Sequence, residues 1–408
     1  MSAVDLDEFA TLIERPDAGV RHDAAQRRDR TAAPATALGK LADLGDWLAS
    51  VQGQVPVRPL QRPRLVLFAG DHGIAERGVS AGPAGGAVHL VRRVLEGAAP
   101  VSVLARAYGA GVRVVDVAVD CDPAELPADV TRHRVRRSSG AIDTGAALTS
   151  QEAEAAFLAG AAVADEEADS GTDLVLLGDL SVGGTTVAGV LIAALCGVDA
   201  SVVTGRGSGI DDLTWMRKCA AIRDALRRAR PVLGEPLELL AAVGGADVAA
   251  MTGFLLRAAV RKLPVVLDGV VASACALVAQ RVAFRAPDWW MAAHVSGEPG
   301  QVKALDRLSM EALADHGVRL GEGAGALLAL PLLRAAAALA AELPVAPAAE
   351  PAVEDAPQDA GAAGSPVEPP AEPGTESVAE SVAESPVELP AEDAPRDAGA
   401  GAREASSD

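Results

Sequence analysis

Aromatic residues are nearly missing from this 408-residue chain: four Trp, one Tyr and five Phe, 2% of the whole. With hydrophobic residues at 50%, any core must be built from Ala, Val and Leu. Basic residues are also scarce. Lys+Arg 36 against Asp+Glu 56 gives a formal net charge of −20. That excludes a general polyanion binder, because phosphate contacts along a nucleic acid need clustered cations. One small phosphate stays within reach. The four cysteines, Cys121, Cys196, Cys219 and Cys275, lie far apart with no CxxC spacing. A zinc ribbon or disulfide framework does not suit that spacing, and the thiols read as free and buried. The amino terminus, MSAVDLDEFATLIERPD, carries early acids and no apolar h-region, so it does not read as a secretory signal. No apolar run approaches ~20 residues, so no membrane span is expected. A cytoplasmic protein follows.

The composition changes at Pro344. Residues 344–408 hold 11 of the 26 prolines, no aromatic residue, 15 acids and two bases, Arg396 and Arg403. This segment also repeats itself. SPVEPPAE at Ser365 returns as SPVELPAE at Ser385, and EDAPQDAGA at Glu354 returns as EDAPRDAGA at Glu392. It cannot bury enough apolar surface to offset its ordering entropy, and it reads as a disordered acidic tail.

The remainder predicts an α/β fold. Short apolar runs at 65–69, 112–119, 173–177, 202–204 and 263–267 suit strands covered on both faces. Between them, Thr149 and Glu152 form a capping box ahead of a helix over 153–169, and helices are expected over 211–228 and 246–261. Strands alternating with helices make a parallel, doubly wound sheet. Residues 1–60 and 300–343 look wholly helical and are read as a second, smaller domain beside an α/β nucleotide-binding domain over 61–299.

In doubly wound sheets the ligand sits outside the carboxyl ends of the strands. Six motifs fall there. In FAGDHGIAERGVSA, Asp71 and His72 directly follow a strand and could orient a substrate or exchange a proton, or Asp71 could cap a turn. In GDLSVGGTT, from Gly178 to Thr186, glycine N–H groups and a helix N-terminus suit an anion, although a tight turn has the same sequence. It is no Walker A loop, since no Gly-Lys-Ser/Thr follows. TGRGSGIDD, from Thr204, lacks the GxGxxG spacing, but Arg206 or Lys218 could neutralise a phosphate, or Lys218 could be an ordinary surface residue of a helix. In PVVLDG, Asp268 ends a buried strand and could face a ligand or cap a helix. In HVSGE, His294, Ser296 and Glu298 share a face if the segment is extended. In RLGEGAGA, Glu322 stands between Gly321 and Gly323, where close approach and desolvation suit a general base, although a Gly-rich turn with a solvated Glu has the same sequence.

Taken in order, FAGDHG, GDLSVGGTT, TGRGSGIDD with Lys218, VGGADVAAMTGFLLRAA, PVVLDG, HVSGEPG and RLGEGAGALLALPLL resemble the nicotinate-nucleotide–dimethylbenzimidazole phosphoribosyltransferase family of cobalamin synthesis. The likeness runs from about 38 to 340 and is most specific over 243–332. It implies a Rossmann-like parallel sheet with a small helical domain, a homodimer, and no metal or cofactor. The implied substrates are nicotinate mononucleotide and 5,6-dimethylbenzimidazole, and the implied products are α-ribazole 5′-phosphate and nicotinate. Residue by residue, it implies Glu322 as catalytic base. Asp179, Gly183, Thr185, Thr186, Gly205, Gly207 and Lys218 would hold phosphate and ribose, and Asp71, His89, Asp268, His294, Ser296 and Glu298 would line the base pocket. The chain departs from the family pattern at Asp179 (usually Glu), Ser181 (often Gly), Gly184 (usually Asn), Ala35–Gly39, Gly82 and His89. These departures motivate two other readings: the same fold with a different acceptor base, and a non-catalytic nucleotide-binding regulator.

Overall fold

In the computed structural model, residues 4–346 are described, apart from 32, 34, 35 and 208. Six strands form one sheet: β1 (Pro63–Asp71), β2 (Gly111–Ala118), β3 (Leu174–Val182), β4 (Val265–Leu267), β5 (Trp290–His294) and β6 (Ala312–Ala314). Their order is β2-β1-β3-β4-β5-β6, and every pair is parallel. The chain thus runs outward from β1 to β2, then returns past β1 to β3. That reversal places a topological switch point between β1 and β3, where doubly wound folds bind their ligands. β1 and β3 pair residue for residue from Pro63↔Leu174 to Asp71↔Val182. Leu65, Leu67 and Phe68 on β1 and Leu174 to Leu177 on β3 are fully buried, as continuous apolar runs require when helices cover both faces.

Thr149 caps the Ser150–Asp169 helix with the reciprocal bonds its sequence predicts: the Glu152 N–H donates to its hydroxyl, and Glu152 accepts from its backbone N–H. This helix crosses the Ala246–Val260 helix at very short range. A Cβ on Gly160 would lie 1.7 Å from the Ala250 carbonyl oxygen, and one on Gly253 2.1 Å from the Phe157 carbonyl oxygen. The Gly184–Cys196, Gly269–Val282 and Pro299–Leu308 helices pack on one another. The Ala18–Asp29 and Lys40–Gln52 helices pack together, and the latter also packs on the Ala324–Glu342 helix, which lies against β3 and β5.

Four expectations need correction. The run at 202–204 is no strand: Asp199 accepts the Ser201 N–H and starts a short helix, Ala200–Val203. The 300–343 stretch is not wholly helical, because β6 extends the sheet edge beside β5. Ordered structure continues past Pro344, where Val345 bridges Thr31 and the Ala346 N–H donates to the Arg30 carbonyl oxygen. The acidic tail expected over 344–408 lies, from 347 onward, outside the described residues. Finally, the Ala324–Glu342 helix is long and apolar enough to span a membrane by composition. It is a core helix instead: Leu327, Leu330 and Leu333 are fully buried.

Candidate active site

A cleft of about 350 Å³ opens where β1, β3, β4 and β5 end. Of the residues expected there, Asp179, Thr185, Gly207, His89, Asp268, Ser296, Glu298 and Glu322 line it. A larger open hollow, about 1040 Å³, includes Asp173 and Pro264, just ahead of β3 and β4 at the amino ends of the strands. Three of its four cations, Arg15, Lys262 and Arg261, already pair with Asp288, Glu14 and Asp165, which leaves Arg58 to face a ligand.

Glu322 sits in the turn before the Ala324–Glu342 helix. Its φ is +58°, and Gly321 and Gly323 on either side stand at +71° and +83°. Three consecutive left-handed residues are rare, and the central one carries a side chain. Neither glycine-to-alanine change would be equivalent: a Cβ at Gly323 would meet the Leu65 side chain at 2.3 Å, whereas Gly321 faces open space. Burial pushes the Glu322 carboxyl above its usual range. Nearby Asp268 adds to that rise and the Arg93 cation opposes it.

Asp268, at the end of β4, does not present a free carboxylate to the cleft. Its Oδ2 accepts the Gly323 N–H at 3.0 Å and its Oδ1 the Ala326 N–H at 3.0 Å. It caps the last helix from across the sheet, and it is 2% exposed. Behind it, His294 is also buried, its Nδ1 3.6 Å from Asp268 Oδ1. Gly325 must be glycine, since a Cβ there would lie 1.9 Å from that Nδ1. His294 therefore supports the wall and does not line the cleft.

Of the residues expected at the phosphate, Thr185, Gly205 and Gly207 lie close to Lys218, and Lys218 and Gly205 stand behind the cleft lining. Lys218 is 1% exposed, and its ammonium donates to Thr185 Oγ1 at 2.9 Å and to the Gly205 carbonyl oxygen at 3.3 Å. Burial lowers its pKa, and the Glu298 carboxylate counters this. Glu298 was expected in the base pocket. It instead accepts the Gly207 N–H at 2.7 Å, and a Cβ on Gly205 would lie 2.1 Å from its Oε2. It belongs to the glycine-loop side of the cleft. Ser296 lines the cleft nearby, and its N–H donates to Gln301 Oε1 at 2.7 Å. Gly183 and Thr186 do not reach the cleft. Gly183 is the left-handed N-cap (φ +94°) of the Gly184–Cys196 helix, and Thr186 is buried one turn inside it.

Asp179 is one of four carboxylates on the cleft, with Asp268, Glu298 and Glu322. Burial raises its pKa to about 7, with the charges of Asp247 and Asp268 adding to the rise. Ser181 Oγ donates to Asp179 Oδ2 at 2.5 Å, and a Cβ at Gly184 would stand 2.0 Å from the same hydroxyl. Three departures from the family pattern are thus one packed unit. Serine's hydroxyl fills the space that glycine leaves, and it holds the aspartate.

Asp71, expected to touch the base, is buried instead. Its two oxygens accept the Ala87 and Asp120 N–H groups at 3.2 and 2.8 Å. It pins the start of the Ala87–Leu95 helix, which carries His89 to the cleft wall. Asp247, within VGGADVAAMTGFLLRAA, has no role that its local sequence signals. It accepts a hydrogen bond from His72 at 3.1 Å, both side chains are fully buried, and their charges act on Asp179. Burial alone lowers the His72 pKa, but the Asp247 charge and hydrogen bond, with Asp71 and Asp179, carry it upward. Also missed are the apolar wall of Leu90, Val182, Val270, Val271 and Leu320, and Arg319 at the rim. Such a mixture, apolar walls with a few convergent polar groups, suits a flat heteroaromatic ring joined to an anion.

A family model described as phosphoribosyltransferase matches residues 13–350. A nicotinate-nucleotide–dimethylbenzimidazole phosphoribosyltransferase of Streptomyces coelicolor is 72% identical over 345 residues, which cover 84% of this chain and 97% of that protein. The namesake enzyme of Streptomyces avermitilis is 71% identical, with 84% and 92% covered. A crystal structure of CobT from Thermus thermophilus superposes with a TM-score of 0.75 at 38% identity, covering 79% of this chain and 96% of that one. The chain belongs to the nicotinate-nucleotide–dimethylbenzimidazole phosphoribosyltransferase family.

Proposed function

We propose that this chain transfers 5-phosphoribose from nicotinate mononucleotide to 5,6-dimethylbenzimidazole, giving α-ribazole 5′-phosphate and nicotinate. The observation that carries the reading is the Glu322 turn: a carboxylate held in the cleft, partly desolvated, beside apolar walls and, among the described residues, in no ion pair. One imidazole nitrogen of the acceptor attacks the anomeric carbon. The bond from that carbon to the pyridinium nitrogen breaks, and its electron pair neutralises the departing ring. No acid is needed at the leaving group. The proton on the acceptor's other ring nitrogen passes to Glu322. Attack opposite the leaving group inverts the anomeric centre, from β to α. The protein contributes orientation, desolvation and a base. Lys218 with Thr185, and the Gly207 N–H now held by Glu298, form the side suited to the 5′-phosphate. Leu90, Val182, Val270 and Val271 suit the benzimidazole ring. A cytoplasmic homodimer is the form this proposal assigns to the enzyme.

One observation favours a second acceptor. A Cβ built on Gly82, on the cleft wall, would find only ordinary contacts, Ser80 Oγ at 3.7 Å and Val182 at 3.8 Å. That leaves room for a base of different outline. The test is product analysis: the purified chain with nicotinate mononucleotide and a panel of bases, scored for free nicotinate and an α-riboside phosphate. Fast turnover with dimethylbenzimidazole supports the proposal. A slow rate with it beside a fast one for another base moves the assignment to that acceptor, and binding without release of nicotinate with any base overturns both.

A further inference from the structure

We propose that Asp268 is a positioning residue for the reaction: from the end of β4 it grips the backbone of the Glu322 turn and fixes the direction in which the Glu322 carboxylate enters the cleft. The inference rests on the reading of Glu322 as the base. A carboxylate at this strand end could have touched the substrate directly. Instead both its oxygens are taken by N–H groups of the turn, from Gly323 and Ala326, 55 and 58 residues further along the chain. Glu322 lies immediately before the first of them. Its left-handed φ of +58° is strained for a residue with a side chain, and such a conformation persists only where surrounding structure over-determines it.

The surroundings do so from three sides. Asp268 holds the two amides. The Leu65 side chain and the Gly178 backbone close on Gly323, where a Cβ at Gly178 would lie 2.6 Å from the Gly323 nitrogen. His294 closes on Gly325. Only the first of these contacts is both polar and charged. It also acts electrostatically, because the Asp268 charge makes Glu322 harder to ionise and so a stronger base. The other ionisable groups around Glu322 are Arg93 from the Ala87–Leu95 helix, His89 on the same helix, Arg319 two residues before the turn, Asp179 on β3, and Glu298 after β5. Asp268 itself faces His294 and Asp179. The Asp268→Asn change leaves all of these in place. It keeps the size, removes the charge, and replaces one acceptor oxygen with a donor group that faces an N–H.

The test uses the full chain as Asp268→Asn, Glu322→Gln and the double variant, assayed with nicotinate mononucleotide and dimethylbenzimidazole across pH. Asp268→Asn is expected to lower kcat by about 10- to 100-fold, the scale of a misplaced catalytic group, with KM for both substrates nearly unchanged. Its acid limb shifts to lower pH, since a negative neighbour of Glu322 is gone. The double variant should be no slower than Glu322→Gln alone, because a residue that acts through Glu322 has nothing left to act on. A loss that multiplies with that of Glu322→Gln overturns the proposal, and so does an unimpaired Asp268→Asn beside a slow Glu322→Gln. An unchanged Glu322→Gln removes the base assignment, and the positioning role with it. If Asp268→Asn fails to fold, hydrogen exchange in the unaltered protein decides: slow amides at Gly323 and Ala326 support the clamp, and fast ones refute it.

Discussion

Ser181, Gly184 and Asp179 share one small volume, so none of them can change alone without consequence. A side chain at 184 would force the Ser181 hydroxyl to swing away and drop Asp179. Gly184→Asn is therefore expected to cost about 1–3 kcal/mol, from overpacking and a lost hydrogen bond. Ser181→Gly removes both the hydroxyl and the Cβ that crowd position 184, so Ser181→Gly with Gly184→Asn should recover most of the loss. A thermal double-mutant cycle checks this, and simple additivity would show that the two sites are independent. Asp179 has its own signature. Its folded pKa, about 7, lies above the ordinary 3.8 because of burial. The folded state then holds the proton more tightly than the unfolded chain, and the associated stability is present at low pH and lost as pH rises through about 7. Asp179→Asn should raise the melting temperature clearly at pH 8 and much less at pH 5. Equal shifts at both would mean that ionisation of Asp179 is not what costs stability. The sequence makes these chemical types visible in their loop, but not their contacts. That Gly184 answers Ser181 is a matter of a 2.0 Å distance.

At the scale of elements, legibility followed length and locality. β1 and β3 are long continuous apolar runs, and the capping box lies within four residues, so both can be read directly. β6 is only three residues and half-buried, and its pairing comes from β5 alone, which no local pattern records. Asp199 tips 200–203 into a helical turn although its composition suits a strand. The partners of Asp268 and of His72 lie 55 and 175 residues away, so a clamp and a buried ion pair both look like ordinary loop residues. Gly160 and Gly253 were equally silent inside apolar helices. There they let two backbones meet, which a methyl group at 1.7 or 2.1 Å from a carbonyl oxygen forbids. Helix propensity favours alanine over glycine by roughly 1 kcal/mol, yet Gly160→Ala should destabilise by several kcal/mol because the 150–169 and 246–260 helices must separate. A denaturant midpoint that rises on this substitution would contradict the crossing.

For the whole molecule, the question is where the working chain ends. Every residue of the cleft lies between Ser80 and Glu322, and the family match closes at residue 350. The last described contacts are the Thr31–Val345 bridge and the hydrogen bond from the Ala346 N–H to the Arg30 carbonyl oxygen, which fasten the end of the last helix to the amino-terminal helices. Composition alone set the boundary at Pro344, because proline and acids begin there and a two-residue bridge carries no compositional signal. Two truncations separate the alternatives. Removing 347–408 deletes 15 acids against two bases and no cleft residue, so the melting temperature and kcat/KM should stay within error of the full chain. Removing 344–408 also takes away the bridge, and it should lower stability by about 1 kcal/mol, the scale of one or two backbone hydrogen bonds, with kcat unchanged. Indistinguishable truncations would mean that the bridge contributes nothing and that the fold ends with the helix. A large loss of turnover on removing 347–408 alone would show that the acidic segment serves the cleft directly, a role that neither its composition nor the arrangement of the site calls for.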